Sequence, residues 1–435
     1  MKISLFQGIL FGIFGLSALV GLFVFATYTS TGDTNTVGTV VMWGTLPSEG
    51  MQSALAATMQ IDETLKNVSY VQKDPATLLS NVATAIATGV APDLILASHE
   101  ELHALTKFIM PIPQSTLSTN TFVNTFVEEG RIFMMPDGSG YYGIPFLVDP
   151  LVLFSNRSIL ASSGIAKPPA TWEALIGLVP NVAILTPSRQ ITRGLIALGT
   201  YDNVRDARGI LSALFLQQGI PISSYSANGV LAADLGETSS GSASLGSAVL
   251  GFYTQFADPS KVSYTWNTSL PDSEQMFLAG DLALYLGYAS RARYLQEANP
   301  NLNFSVTPLP QSATTKEKSA YGLIYAFMIP RGAKNPSGAY QSATLLTNSA
   351  EQSIAAGATG LAPATLSELA TIPLTDPVAA VAYAEALYSK GWLSPMSSDV
   401  NRIFSGMIGD VISGRSTVDD VLGSAARSLN PLLQQ

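Results

Sequence analysis

In the first part of the chain, segments with the apolar pattern of strands alternate with segments with the apolar pattern of helices. Short apolar runs at 39–43, 68–71 and 91–97 are typical of buried strands, whereas segments 51–59 and 75–88 carry apolar residues at helical spacing. This β-α-β-α-β order predicts a parallel sheet whose faces are covered by helices. Open parallel sheets bind ligands beyond the carboxyl ends of their strands. We therefore expect a ligand site at three loops: 43–48, 71–74 and 98–100.

Candidate ligand-binding residues at these strand ends are Trp43, Gly44 and His99. The ring of Trp43 suits a cleft and a core equally well. A histidine that follows a strand is as often a hydrogen-bonded loop residue as a ligand contact, so His99 keeps both interpretations.

The apolar run from 146 to 154 has strand composition and follows the sequence YGIP at 142–145, which combines a flexible residue with a ring-locked one. We interpret it as a hinge followed by the opening of a second lobe. Asp149 interrupts the run, and a carboxylate there is costly unless it is paired or lies near a cleft. It could also cap the turn before Pro150. Phe146 and Asp149 are candidate ligand contacts.

A second buried-type run, 321–329, predicts another strand that crosses between lobes, and Tyr321 is a candidate on it. The remaining patterns predict a helix capped by Thr171, a strand at 182–185, helices at 192–198, 206–218, 245–256 and 272–279, strands at 282–286 and 303–309, a helix at 337–347, and a largely helical tail at 376–433 with breaks at Gly391, Gly406 and Gly414.

The N-terminus is an uncharged apolar run from residue 3 to about 28, long enough to cross a bilayer at roughly 20 residues per span. A cleaved signal peptide ending near Val24-Phe25-Ala26 is the alternative, but the length favours an anchor. One lysine precedes the run and none follows closely, which places the body outside the cytoplasm. We predict a cell-membrane protein with a single-pass signal-anchor at 1–29 and a flexible tether at 30–38.

Composition adds limits to this picture. The chain has 435 residues, more than a single core usually holds, and therefore predicts two lobes. Its net charge of -9 and the lack of a basic cluster argue against a nucleic-acid partner. Cysteine is absent, which removes disulfides and thiolate chemistry.

Catalysis has little support in the sequence. His99 and His103 are four apart, but no HExxH, G-x-S-x-G or Walker motif is present. We predict no catalytic residues, no metal site and no cofactor. A pair of carboxylates of the glycosidase type stays open, since any two of the 31 acidic residues could meet in space.

Several segments in order resemble one family, the extracellular solute-binding proteins of ABC importers, in the branch with maltose- and other sugar-binding proteins. APDLILA is similar to its "tPDv" strand, the segment YYGIPFLVDPLVLFSNRSILASSGIAKPPATWEAL to its hinge signature, and FLAGDLALYLGYAS, YGLIYAFMIPRGAKNPSGAYQSATLL and the helical tail to later motifs. The resemblance covers about 40–433. Two departures are the missing lipid-attachment cysteine, which supports anchoring by the span, and Leu284 in place of a methionine.

The resemblance implies an α/β protein with a two-lobed periplasmic-binding-protein fold, type II-like, whose hinge-crossing strands let the lobes close on a solute. We place lobe 1 at 39–147 plus 320–350 and lobe 2 at 148–319 plus 351–435. It also implies a monomer that hands a small-molecule solute, here a carbohydrate, to the permease subunits of an ABC transporter. The rivals are a surface enzyme acting on polysaccharide and a ligand-sensing receptor subunit without transport.

Sugars are bound by aromatic rings and by polar groups that pair with hydroxyls. Trp266 lies in a polar loop without apolar neighbours, which favours ligand contact, and Tyr288 follows Gly287 at a strand end in the family's "G.w" motif. Ser188 and Arg189, in a loop beside an expected cleft edge, complete the candidates, although a loop arginine is more often a solvated or salt-bridged surface residue. Trp172 follows a helix cap, and we expect it to pack in the core.

Overall fold

The structure is a computed structural model that describes residues 36–235, 242–313, 315 and 317–434. The expected anchor and residues 30–35 of the expected tether lie outside the described residues. Within the part that is described, no helix is long and apolar enough to cross a membrane. The anchor therefore stays a prediction from the sequence.

The strands of the described residues follow in chain order: β1 (Val40–Gly44), β2 (Val68–Gln72), β3 (Leu94–Ser98), β4 (Ile112–Pro113), β5 (Gly140–Tyr141), β6 (Ile144–Asn156), β7 (Ile184–Leu185), β8 (Ile191–Ile196), β9 (Ser223–Tyr225), β10 (Leu231–Ala233), β11 (Leu282–Tyr288), β12 (Phe304–Thr307), β13 (Ala320–Met328), β14 (Ala362–Pro363) and β15 (Ser389–Lys390).

The α-helices are α1 (Ser48–Ile61), α2 (Pro75–Ala87), α3 (His99–Leu105), α4 (Thr119–Thr125), α5 (Arg157–Ser162), α6 (Trp172–Val182), α7 (Ala207–Gln217), α8 (Ser242–Thr254), α9 (Ser273–Leu278), α10 (Arg291–Ala298), α11 (Pro336–Leu346), α12 (Ser349–Thr359), α13 (Leu366–Leu369), α14 (Pro377–Ala386), α15 (Ser397–Ile412) and α16 (Val418–Leu433).

The first half of the sheet is parallel, in the order β2-β1-β3, which confirms the predicted β-α-β-α-β unit. All five residues of β3 are buried, as expected for a parallel strand covered on both faces. Between β2 and β3, α2 starts where the Asp74 carboxylate accepts a hydrogen bond from the Ala76 amide and Pro75 occupies the first turn. The local sequence thus sets both the strand and the helix start.

The strand β6 connects the two halves of the sheet, and all 13 of its residues are buried. Up to Pro150 it pairs antiparallel with β13, and from Leu151 it pairs with β11 and β12. Because β13 also pairs with β3, one 11-stranded sheet runs β2-β1-β3-β13-β6-β11-β8-β7, with β12, β14 and β15 attached. Both apolar runs that we predicted as crossing strands are continuous strands at the junction of the halves.

The second half of the sheet differs from the prediction at 192–198, which we expected to be helical. Residues Ile191–Ile196 form β8, parallel to β11 and antiparallel to β7. The amide of Leu195 donates to the Thr265 hydroxyl, and a side chain at Gly194 would press on the Thr265 carbonyl oxygen at 3.0 Å. Pairing with distant segments decides the conformation of so short a run.

Two boundaries also differ from the prediction. The expected strand at 182–185 is reduced to β7, because Val182 is still the last residue of α6. The expected break at Gly406 is wrong, since this glycine lies inside α15. Gly414 does end α15, with φ at 67°, a conformation that favours glycine.

A buried carboxylate joins the turn after β13 to the first half of the sheet. Asp93, immediately before β3, accepts hydrogen bonds from the backbone amides of Val41, Lys334 and Asn335 at 2.9 to 3.0 Å. These amides belong to β1 and to the turn that leads from β13 into α11. One side chain therefore connects segments more than 200 residues apart in sequence.

We expect Asp93→Ala to lower the free energy of unfolding by roughly 2–4 kcal/mol, because three amides lose their acceptor. Urea denaturation measures the effect. Asp137→Ala is the matched control: its carboxylate is exposed and holds only a local turn through Ser139, so its loss should cost much less than the loss of Asp93. Equal losses in the two variants would contradict the role assigned to Asp93.

Candidate functional site

A cavity of about 800 Å³ lies between the two halves of the sheet, and we call it the main cavity. One wall comes from the carboxyl ends of β1, β2 and β3. Thr45, Asp74, Ser98 and Glu100 line it there. Each of the three loops expected at the site therefore contributes a residue.

The opposite wall comes from the segment before α7 and the first turn of that helix. Tyr201, Asp202, Asp206 and Arg208 line it, and Met396 to Asn401 at the start of α15 close one end. The hydroxyl of Tyr201 donates to the Asn401 side-chain oxygen at 2.7 Å, which ties these two parts of the wall together.

A buried ion pair joins the two walls. The Arg208 guanidinium contacts the Glu100 carboxylate, with 15% of the arginine and 6% of the glutamate side chain exposed. The hydroxyl of Tyr321, on β13, donates to the other oxygen of Glu100 at 2.5 Å. Both oxygens of this carboxylate are therefore engaged, one by each half of the molecule.

The start of α3 explains why Glu100 points to this place. Ser98 caps the helix: its hydroxyl accepts from the Glu100 amide, while the Glu101 carboxylate accepts from the Ser98 amide at 2.9 Å. Burial raises the pKa of Glu101 despite these hydrogen bonds from Ser98. A sequence rule for helix starts thus positions two carboxylates at the carboxyl end of β3.

Aromatic hydroxyls supply the remaining polar surface. Tyr201, Tyr288 and Tyr325 line the main cavity, and burial raises the pKa of each phenol, so all three stay protonated. Rings that carry a hydroxyl can stack on an apolar face and pair with a polar group at once. The cavity therefore combines rings, carboxylates and one guanidinium.

Of the ten residues proposed from the sequence, Tyr288 lines the main cavity. Tyr321 does not line it, but its hydroxyl donates to the Glu100 carboxylate. His99 is fully buried: its Nδ1 accepts from the Ile324 amide at 3.2 Å. Burial, and then the charge of Arg208, lower the pKa of His99 to about 3, so the ring is neutral. His99 is a core histidine beside the site.

Trp43 and Gly44 do not line the main cavity, whereas the next residue, Thr45, does. The Trp43 ring is half-buried and lies 3.9 Å beneath the Lys73 ammonium, and Gly44 gives room to the Tyr70 ring, which a side chain there would meet at 2.6 Å. Both residues shape the strand end without lining the cavity.

Phe146 and Asp149 are buried in β6. The Phe146 ring packs against Phe327 with centroids 4.4 Å apart. Asp149 accepts hydrogen bonds from the amide and the hydroxyl of Ser290, at 3.0 and 2.6 Å. Burial raises the pKa of Asp149 to about 6, against the Ser290 hydrogen bonds and the charge of Arg291. Asp149 fastens the turn after β11 and is not part of the cavity wall.

The interpretation of Trp266 as an exposed ligand contact is not supported, because the ring is fully buried and its Nε1 donates to Asn203 at 3.2 Å. Its apolar neighbours come from other parts of the chain, which the local sequence could not indicate. Ser188 and Arg189 lie in the exposed turn between β7 and β8, where the guanidinium donates to the Pro259 carbonyl. Neither residue lines the main cavity. Trp172 packs in the core, as expected.

Five residues that line the main cavity are not among those predicted from the sequence: Glu100, Tyr201, Tyr325, Asp206 and Arg208. Glu100 lies in one of the three expected loops and Tyr325 on an expected crossing strand. The sequence therefore contains a signal for both residues. No local pattern marks Asp206 or Arg208, because the packing of α7 against the first half is what turns them toward the cavity. Among the described residues, no group of three or more histidine, aspartate or glutamate side chains could hold a metal ion.

A second cavity of about 590 Å³ also lies between the halves, lined by residues 128–136, 216–225 and 390–393 among others. Its wall includes the exposed Tyr225 and the carboxylate of Glu129, which accepts from the Gly391 amide at 3.0 Å. It shares no lining residue with the main cavity. The two cavities can therefore be tested separately.

The sequence matches a family model described as bacterial extracellular solute-binding protein over residues 59–382, which is most of the chain. The chain belongs to the bacterial extracellular solute-binding proteins. This confirms the resemblance found in the sequence. The family consists of binding proteins, so this solute-binding protein is not an enzyme. No curated protein shows significant sequence similarity to it.

Solved structures show the same fold. The cyclic alpha-maltosyl-1,6-maltose binding protein from Arthrobacter globiformis is 15% identical with a TM-score of 0.72, covering 91% of this chain and 98% of its own. A Thermus thermophilus maltotriose binding protein is 16% identical, with a TM-score of 0.65 and coverage of 90% and 99%. A solute-binding protein from Thermotoga lettingae bound with alpha-D-tagatose is 17% identical, with a TM-score of 0.67 and coverage of 91% and 99%. These likenesses confirm the two-lobed α/β periplasmic-binding-protein fold.

Asp149→Asn should change the pH dependence of stability in this solute-binding protein. Because the folded-state pKa of Asp149 is raised, its contribution to stability is present at low pH and is lost as the pH rises through about 6. The free energy of unfolding of the variant, relative to the wild type, should therefore rise by roughly 2 kcal/mol between about pH 4 and about pH 7. Urea denaturation at both pH values tests this. A difference independent of pH would contradict the raised pKa.

The Glu100–Arg208 pair should show coupling in a double-mutant cycle. Glu100→Gln and Arg208→Met each leave a buried partner unpaired and should each cost roughly 2–4 kcal/mol of unfolding free energy. The double variant should lose less than the sum by about 1 kcal/mol or more. Additive losses would mean that the two groups do not stabilise each other.

Proposed function

We propose that this chain is a membrane-anchored, extracytoplasmic protein that captures a carbohydrate or similar polyhydroxylated solute in the main cavity by hinge closure and delivers it to an ABC permease. The observation that carries the proposal is the pair of walls joined by Glu100 and Arg208. A cavity whose sides belong to different halves is formed only when the halves come together.

The chemistry of the walls suits a polyhydroxylated solute. Carboxylates accept from hydroxyls, a guanidinium donates to them, and tyrosine rings offer apolar faces. The volume, about 800 Å³, is within the range of roughly 300–1,000 Å³ usual for small-molecule sites. The structural neighbours named for maltose derivatives, maltotriose and tagatose support the same class of solute.

The lobe limits are also part of the proposal, and they differ from the sequence expectation mainly at 351–369. The helix α12 packs extensively against α1, and Thr365, just before α13, bridges to Phe126. These contacts favour placing 349–369 in lobe 1 with 39–147 and 320–348. We assign 151–319 and the helices α15 and α16 to lobe 2, since α16 packs on α8 and β10.

The anchor at 1–29, the position of the body outside the cytoplasm, the permease partner and the monomeric state complete the proposal. They rest on the apolar N-terminal run and on the family. A receptor subunit that binds the same solute without transport is the remaining candidate, and a transport assay with the reconstituted permease separates the two.

Binding should be tested with the full-length chain in a detergent that has no saccharide headgroup. A panel of maltotriose, maltotetraose, mannobiose and alpha-D-tagatose covers the saccharides named for the structural neighbours. We expect at least one to raise the melting temperature in proportion to the logarithm of its concentration, without product release. Failure of every saccharide in a broader panel, by thermal shift and calorimetry, would remove the carbohydrate assignment.

Tyr288→Ala should lower the affinity for the bound saccharide about 10-fold or more, because a stacking ring in the main cavity is lost. Tyr225→Ala is the matched control, since Tyr225 is an exposed tyrosine that lines the second cavity instead. Calorimetry gives both dissociation constants. A loss in Tyr225→Ala with none in Tyr288→Ala would move the solute to the second cavity.

A further inference from the structure

One carboxyl group in the wall of the main cavity has an oxygen with no hydrogen-bond donor. Asp206 is half-buried and lines the cavity, but its Oδ2 has almost no accessible surface and no partner among the described residues. An ionised oxygen in such a place is strongly disfavoured, whereas a neutral carboxyl group costs much less to bury. With the two walls in contact, the protonated form of Asp206 is therefore favoured.

The helix that follows does not hold Asp206 in the ionised form. Asp206 occupies the cap position of α7 in a left-handed backbone conformation, with φ 59° and ψ 24°, and its side chain makes no cap hydrogen bond. An aspartate that caps a helix accepts backbone amides, and these hydrogen bonds stabilise its charge. Asp206 lacks this stabilisation.

Three arginines lie near Asp206, and each is engaged by another carboxylate. Arg291 donates two hydrogen bonds of 2.8 Å to Glu274. Arg205 also contacts Glu274, at 3.7 Å. Arg208 forms the ion pair that joins the two walls. None of the three forms an ion pair with Asp206 in the described part of the chain.

The other titratable groups that face Asp206 or share the cavity with it are carboxyls and phenols. The carboxyls are Asp149 on β6, Glu274 on α9, and Asp74, Glu100, Glu101 and Asp202 in the cavity walls. The phenols are Tyr201 before α7, Tyr285 and Tyr288 on β11, and Tyr325 on β13. Burial raises the pKa of all four phenols, so they are neutral. Neither set of groups stabilises a negative charge on Asp206.

The titration of Asp206 agrees with this geometry. Burial raises the pKa of Asp206 to about 7, and the charges of Arg205 and Arg291 oppose this while Asp149 and Glu274 add to it. When the walls separate, water reaches the cavity wall, and a hydrated aspartate has a pKa of about 4. The closed form therefore binds one more proton than the open form at a pH between about 4 and about 7.

We propose that Asp206 takes up one proton from the solvent when the two halves close, and that this proton couples capture of the solute to pH. Because the closed form binds the proton, acid favours closure, and the affinity falls as the pH rises toward neutrality. The inference rests on the proposed function where the solute is concerned, but the coupling of closure to pH can also be measured without a solute.

The first test uses the full-length chain and the saccharide that binds most tightly among maltotriose, maltotetraose, mannobiose and alpha-D-tagatose. Its dissociation constant should be about 10- to 100-fold higher at about pH 8 than at about pH 5.5. Calorimetry at about pH 6.5 in two buffers of different ionisation enthalpy counts the protons directly. We expect uptake of about 0.5 to 1 proton per bound saccharide.

Asp206→Asn should remove the coupling, because the amide stays neutral at every pH. Its affinity should change less than about 3-fold between the two pH values, and the proton uptake should disappear. Glu385→Gln is the matched control: burial raises the pKa of Glu385 to about 7 as well, but this residue does not line the main cavity. Its pH dependence should equal that of the wild type. Circular dichroism confirms that each variant is folded, and Asp206→Ala replaces Asp206→Asn if the latter is not.

The second test measures closure without a saccharide. The chain has no cysteine, so nitroxide labels can be placed at will. Ser80 on α2 and Arg402 on α15 are exposed, and these two helices line the main cavity from different sides. In the double variant Ser80→Cys with Arg402→Cys, electron resonance should show more of the short distance at about pH 5.5 than at about pH 8. Adding Asp206→Asn should abolish this difference.

The outcomes separate the inference from the function on which it rests. If the wild type binds a saccharide with the same affinity at both pH values and without proton uptake, or if the folded Asp206 variant keeps the wild-type pH dependence, the coupling is refuted while the function stands. If the wild type binds no saccharide, the proposed function fails and the label distances decide. A change with pH that Asp206→Asn abolishes then supports the inference, and distances independent of pH overturn it.

Discussion

The strand β6 is the constraint on which the rest of the architecture depends. All 13 of its residues are buried, and it changes its neighbour from β13 to β11 near Pro150. A buried strand must pair its backbone groups on both sides, so the two halves cannot be separated without exposing them. Relative movement of the halves is therefore concentrated where the partner changes. Asp149 lies there and is bound through Ser290 to the turn after β11.

The main cavity follows from this arrangement. The parallel strands β1, β2 and β3 direct their carboxyl ends toward the second half, and α7 brings its first turn against them. Polar groups brought together in this way lose water, so each needs a partner from the other wall. Glu100 finds it in Arg208, while Tyr321 of its own half engages the second carboxylate oxygen, and His99 stays neutral. Asp206 Oδ2 and Arg208 Nη1 do not find one.

The positions of Trp266 and His99 show that the local sequence does not reveal which side chains become buried. The segment around Trp266 is polar, yet its ring is buried and hydrogen-bonded to Asn203, 63 residues away. His99 stands at a strand end where ligands bind, yet a side chain at Gly391 would meet its ring at 2.5 Å. In both cases, residues far away in sequence fill the space that the local pattern left open.

The sequence by itself determined the elements whose signals are local. The sequence is enough to recognise the strand composition, the caps at Asp74 and Thr171, and the buried runs of β6 and β13. Backbone sterics and short-range hydrogen bonds decide these features. The family followed from motifs that occur in order along the chain, and the edge of the sheet that borders the main cavity followed from the order of strands and helices. Tertiary structure alone decided that Ile191–Ile196 is a strand, that Trp266 is core, and that Asp206 and Arg208 face a cavity. Each of these depends on contacts between segments distant in the chain, and such contacts leave no periodicity in the sequence.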